Sequence, residues 1–272
     1  MFTKYKYFIL FSLILAIVLP KWAIGFFLYN LDINTNFVIH FNDKMYFPLI
    51  HSLSNLDFAQ SYLENRPATK ILSAPFTPLA LHALFYKIGG PGALIFLEVT
   101  LQVILIFLLF KVMEKVFHSK EKSYLFCFLI FGLIIFFDFF SNSKIGSTFF
   151  GILDGIFGSR TPRPIFTSII LFLLFYSALI FRENANEKLK IRDLFLLSFS
   201  LGMLLNSFLF YFVNSIIFLL ILVFVIKKKQ TLNFFIYNFK KFLIFVFFLI
   251  IFSLPFILQY FFKENDHLLR IG

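Results

Sequence analysis

The sequence is short of what a soluble protein needs. Charged residues fill only 14% of its 272 positions, too few to give a globular domain of that length a water-compatible exterior. A single cysteine, Cys127, excludes an internal disulfide. There is no P-loop, dinucleotide fingerprint, zinc-ligand spacing or nucleophile elbow, so the chemistries tied to those motifs have no foothold here. Internal repeats and low-complexity linkers are absent too. Apolar runs recur along the whole length and leave no room for a separate soluble domain, so residues 1–272 read as one integral membrane domain. No small-residue cleavage site follows the first apolar run, which predicts an uncleaved span behind Lys4 and Lys6 rather than a signal peptide.

What is present is apolar bulk. Hydrophobic residues make up 60% of the chain, 47 of them Phe, and the mean hydropathy is +0.89. The net charge of +11 falls in short basic clusters between apolar runs, a pattern of membrane topology that excludes a nucleic-acid partner. Apolar segments run near 8–28, 71–88, 92–112, 123–140, 164–182, 193–226 and 241–262. The segment 193–226 is long enough for two short spans, and Asn206 and Asn214 near its middle suit a tight polar turn. The fold class expected is all-α, a polytopic transmembrane bundle of about seven spans with juxtamembrane helices on the outer surface.

Positive-inside counting sets the topology. If 71–88 lies on or dips into the outer surface and 193–226 is a hairpin, 15 basic residues fall inside and nine outside. If 71–88 crosses, the bias reverses, so the non-crossing arrangement is preferred, with a cytoplasmic N-terminus in the plasma (inner) membrane. It places residues 29–70 and 141–163 outside. Within 29–70, Tyr46–Leu53 and Leu56–Leu63 are amphipathic enough to lie along the surface, the second with Asn55 as N-cap.

Polar residues concentrate on that outer face. Asp43 follows the first span closely, Lys70 precedes Pro75 and Pro78 at the start of an apolar helix, and that helix ends at Gly89-Gly90-Pro91-Gly92 before a full span. In this order and spacing, residues 5–165 resemble the GT-C class of polytopic glycosyltransferases, especially the aminoarabinose and protein mannosyl branches. The resemblance implies transfer of a sugar from a polyprenyl-phosphate carrier to a lipid or glycan acceptor on the non-cytoplasmic side. Such transfer needs a carboxylate base at the acceptor and cations for the departing phosphate. Asp43 is the first choice as base and Asp32 the second. Lys70, Asp154, Arg160 and Arg163 are the lipid-phosphate and substrate-binding set, the two arginines held by prolines at a helix mouth beginning near Pro164. Anchoring of those arginines among lipid headgroups is the other reading.

Within the apolar segments, Glu98 and Gln102 share a helix face, and His82 and Glu98 stand almost symmetrically about the glycine turn. A structural hydrogen bond that locks a folded hairpin is the reading taken for His82 and Glu98. His40 and His51 share the outer loop with three aspartates, a donor set open to a divalent cation; no metal site is assigned and the cofactor is left unknown. Two alternatives stay open: a transporter or lipid flippase, and a non-enzymatic membrane subunit. The partners expected besides substrate are membrane lipids.

Overall fold

A computed structural model of the chain describes residues 8, 12, 19, 22–40, 46–57, 75–139, 147–148, 164–184, 190–227, 234 and 236–261. The described residues are 91% helical and include no strand. That is the expected outcome where lipid cannot hydrogen-bond the backbone and each segment must satisfy its own N–H and C=O groups. After a π-helical segment, Ile24–Leu28, come α1 (Ile33–His40), α2 (Phe47–Ser54), α3 (Phe76–Phe117), α4 (Lys120–Phe139), α5 (Ile165–Asn184), α6 (Ile191–Leu205), α7 (Leu209–Lys227) and α8 (Phe239–Phe261). Among the described residues, four helices are long and apolar enough to cross a bilayer: Phe76–Phe117, Ile165–Glu183, Leu209–Lys227 and Phe239–Leu258. The protein is therefore a multi-pass, membrane-embedded helical protein. Most of the first expected span, 8–28, lies outside the described residues.

The chain divides into two compact units, Met1–Asp57 with Leu79–Ile169 and Phe58–Pro78 with Ile170–Gly272. In the first, the 42 residues of α3 are interrupted at Gly89 (φ −145°, ψ 19°) and Gly90 (φ 57°, ψ −147°). Gly90 occupies a backbone region that only glycine enters without strain. Pro91 then removes a backbone donor and clashes with the carbonyl four residues back, so the glycine-proline run breaks the helix where the sequence predicts a turn. Beyond the break, Leu94, Leu97, Leu101, Leu105 and Leu109 are buried, a stripe at the spacing of one helix face.

α3 ends at His118, whose φ of 50° is left-handed, and Ser119 opens α4 by accepting a hydrogen bond from Lys122 N–H at 3.4 Å. Ring contacts between Phe110 and Tyr124 (5.2 Å) and Phe117 and Phe126 (5.8 Å) hold the two helices beside this turn. Glu114 gathers Lys111 at 3.0 Å and Lys120 at 3.8 Å, so part of the basic cluster expected inside is locally neutralised.

In the second unit, α6 and α8 pack closely. Phe195 meets Phe248 and Phe252, Phe199 meets Phe252, and the Asn206 amide reaches Phe252 and Phe256. The contacts advance in the same direction along both helices, so α6 and α8 are parallel, and α7 runs back against α6. The long apolar segment 193–226 therefore doubles back, as its length predicts. The turn falls at Asn206-Ser207-Phe208. Asn214 is not part of it and lies inside α7, a correction to the expectation that both asparagines serve the turn.

Asn206 is the centre of this unit. Its Nδ2 donates to Phe252 O at 2.6 Å and to Gly202 O at 2.9 Å, and its Oδ1 accepts from Phe256 N–H at 2.7 Å. Phe252 O and Phe256 N are the two ends of one helical turn around Pro255. The carboxamide thus spans a turn that the proline disrupts. Gly202, one turn before, admits the close approach: a Cβ there would sit 2.5 Å from Phe252 Cβ and 2.9 Å from its carbonyl carbon.

Candidate functional site

The described part of the expected outer region begins where the π-helical segment ends. Asn30 takes a left-handed φ of 48°, which asparagine tolerates better than most residues, and Leu31 N–H closes the end on Gly25 O at 3.0 Å. Asp32 then starts α1: its Oδ1 accepts from Thr35 N–H at 3.3 Å, the geometry of an N-cap. Hydrogen bonding from the Thr35 side chain first, and from the backbone N–H groups of Thr35 and Asn34 as well, holds the Asp32 carboxyl below its ordinary pKa. A capped carboxylate with a lowered pKa is a weaker proton acceptor, so Asp32 fits a structural role better than that of a base.

α1 is held to the preceding segment by Asn36, which is fully buried and donates from Nδ2 to Trp22 O at 3.1 Å. Gly25 makes the contact possible, since a Cβ there would collide with the Asn36 carboxamide. Nothing local to Asn36 in the sequence announces this; its partners lie 11 and 14 residues away.

α2 confirms the first amphipathic segment. Pro48 stands in its first turn, where a missing N–H costs nothing, and Leu49, Ile50 and Leu53 are buried. Its rings form a chain of contacts across three helices: Phe37 of α1 to Phe47 (5.5 Å), Phe47 to Tyr86 of α3 (5.5 Å, edge-on), and His51 to Tyr86 (5.8 Å). α2 therefore packs onto the arm of α3 that precedes the glycine break, and α1 packs on α2. His51 is solvent-exposed and Tyr86 half-buried, so this aromatic pair lies open at the edge of the cluster.

The helix expected at Leu56–Leu63 does not begin at Asn55. Asn55 is the C-cap of α2, donating from Nδ2 to His51 O at 3.3 Å, and Leu56 follows at φ 62°. Leu56 N–H bonds Leu53 O at 2.9 Å and Asp57 N–H bonds Ser52 O at 3.0 Å, the Schellman pattern in which glycine usually takes the left-handed place. Leu56→Gly is accordingly expected to stabilise the protein by about 1 kcal/mol by removing Cβ strain. The check is a rise in the midpoint of thermal unfolding in detergent.

His82 is fully buried, and Glu98 and Gln102 are 2% and 6% exposed. His82 lies on the arm of α3 before the break, Glu98 and Gln102 on the arm after it, and both His82 and Glu98 have interaction partners. Glu98 and Gln102 share the buried face, as their spacing predicts. The other predicted site residues, Asp43, Lys70, Asp154, Arg160 and Arg163, lie outside the described residues. The elements flanking them are in place: α1 and α2 on either side of 41–45, Pro75 before α3, and Pro164 immediately before α5, at the helix start predicted beside the arginines. Among the described residues no group of three or more His, Cys, Asp or Glu side chains is placed to hold a metal ion.

Fold and site together define a multi-pass helical membrane protein in which the short helix α2 sits on a glycine-broken helix and carries α1 beside it. Comparison with protein-family models, with curated proteins and with solved structures finds no match to this chain.

Proposed function

We propose that the chain is a membrane glycosyltransferase of the plasma (inner) membrane, moving a sugar from a polyprenyl-phosphate carrier to an acceptor on the non-cytoplasmic face. The observation that most supports the reading is the seating of α2 on the arm of α3 before its break, through Phe47, His51 and Tyr86, with Phe37 of α1 against Phe47. Asp43 stands in the sequence between α1 and α2. In the proposed reaction its carboxylate takes the proton of the acceptor hydroxyl or amine as the acceptor attacks the anomeric carbon. The anomeric C–O bond breaks, and its electron pair leaves with the lipid phosphate. Lys70, Arg160 and Arg163 neutralise the charge that grows there, and Asp154 orients the sugar. With a cytoplasmic N-terminus, all these residues share the outer face.

Topology tests the arrangement. In intact cells a membrane-impermeant maleimide is expected to label Asn34→Cys and Ser143→Cys but not Lys120→Cys or Lys228→Cys, and buried Cys127 adds little background. Labelling at 120 and 228 with protection at 34 and 143 overturns the outer-face site.

A second reading, transport of a small molecule or lipid, is favoured by a different observation. Transporters build midplane sites from broken helices with polar groups on either arm, and α3 is broken with His82 before the break and Glu98 and Gln102 after it, all buried. Glu98→Gln separates the two: it abolishes flux in a transporter, whereas an outer-face transferase retains turnover.

A further inference from the structure

α7 buries only Ser215 and Val223 fully and carries a broad exposed face, and that face is not wholly apolar. Asn214 is exposed five residues into the helix, about 7.5 Å below the first residue at the helical rise. The helix of 19 residues is about 28 Å long, close to the hydrocarbon thickness, so it has no slack to lift that position into the headgroups. An asparagine side chain is also too short to reach them as lysine does. Among the described residues the Asn214 amide has no hydrogen-bond partner, and an amide facing lipid tails is costly. The exposed face of α8 provides the contrast: Leu243, Val246, Phe247, Ile250, Ile251 and Leu254 are all apolar, and lipid alone is a sufficient neighbour for them.

The residues around Asn214 fall in a heptad register. With Asn214 and Ile221 at the a positions, Phe210, Ile217 and Phe224 take d, and all four apolar members are at least 50% exposed. Such a seam is made to pack against another helix, and a polar residue at one a position fixes register and partner number. Copies of a membrane protein insert with the same orientation, so two α7 helices about an axis normal to the bilayer run parallel. In that geometry equivalent a positions face each other. A carboxamide carries both donor and acceptor, so Asn214 is complementary to itself across the axis.

We propose that α7 is a homodimerisation helix: the seam Phe210, Asn214, Ile217, Ile221 and Phe224 packs on the same seam of a second copy, and the two Asn214 amides hydrogen-bond to each other. The occupant is another copy of this chain, independent of what the protein catalyses or transports.

Two measurements decide it on the full chain. Under oxidation in native membranes, Ile217→Cys and Ile221→Cys are expected to cross-link into dimers, while Leu219→Cys, on the other side of α7, and Ile250→Cys on α8 are not. In liposomes, single-molecule photobleaching of the purified protein is expected to show about tenfold weaker dimerisation for Asn214→Leu, the loss of one polar pair in lipid. Asn214→Gln, which keeps the amide, retains dimers. Position 214 is exposed, so neither substitution disturbs the fold. Cross-links without this periodicity, adducts only with a different protein, monomers at every protein-to-lipid ratio, or an Asn214→Leu dimer as tight as wild type each overturn the proposal.

Discussion

Asp43→Asn is expected to lower sugar transfer by about 10²–10⁴-fold, the range for losing a general base, with normal membrane insertion and thermal stability. The substitution keeps the shape of the side chain and removes its ability to accept a proton. The comparison that gives this result meaning is Asp32, the other acid close to the first span. Its carboxylate caps α1 through Thr35, so Asp32→Ser, which preserves a cap oxygen, is expected to leave transfer intact. Because hydrogen bonding in the folded protein lowers the Asp32 pKa, its stabilising effect is present at neutral pH and disappears as pH falls through that lowered value. Transfer assays on membranes carrying each variant at equal expression check both outcomes. Equal loss at both positions would mean that these two acids act only by holding the fold.

The largest structural effect is expected at Gly202. Gly202→Leu places a side chain where even a Cβ meets Phe252 at 2.5 Å and its carbonyl carbon at 2.9 Å. A backbone carbon cannot rotate away, so α6 and α8 must separate. Separation also pulls the Asn206 amide from Phe252 O and Phe256 N–H, exposing backbone groups beside Pro255 that have no solvent to turn to. Overpacking together with the unsatisfied groups predicts a loss of about 3–5 kcal/mol. Asn206→Leu alone is expected to cost about 2 kcal/mol. Because both act on one contact, the double variant should be less destabilised than the sum of the singles. Denaturation of the purified protein in detergent measures all three.

The sequence showed clearly those features whose cause is local. Gly89-Gly90-Pro91 breaks α3 because those residues forbid a continuous helix whatever surrounds them. The doubling back of 193–226 follows from its length, and α2 from its spacing of apolar residues. Legibility ended where long-range contact decides. Asn206 and Asn214 look alike within one apolar run, and only the position of Phe252 and Phe256 makes the first a clamp and leaves the second exposed on α7. Asn55 suits either end of a helix, and the left-handed Leu56 that settles it has no signature of its own. Asn36 reads as a polar loop residue until Trp22 and Gly25 are seen to enclose it. Asp32 illustrates the same point at the site: an acid after a span can serve as base or cap, and the Thr35 hydrogen bond favours the cap. Asp43 and the cations lie outside the described residues, and their proposed meeting is argued from chain order alone.

A carrier lipid is what the proposed chemistry cannot do without. Mass spectrometry of the protein purified with its bound lipids is the most direct measurement. A polyprenyl phosphate or its glycosylated form, depleted in an Arg160→Ala, Arg163→Ala variant, is the result predicted here. Bilayer phospholipids alone, unchanged in that variant, would contradict it.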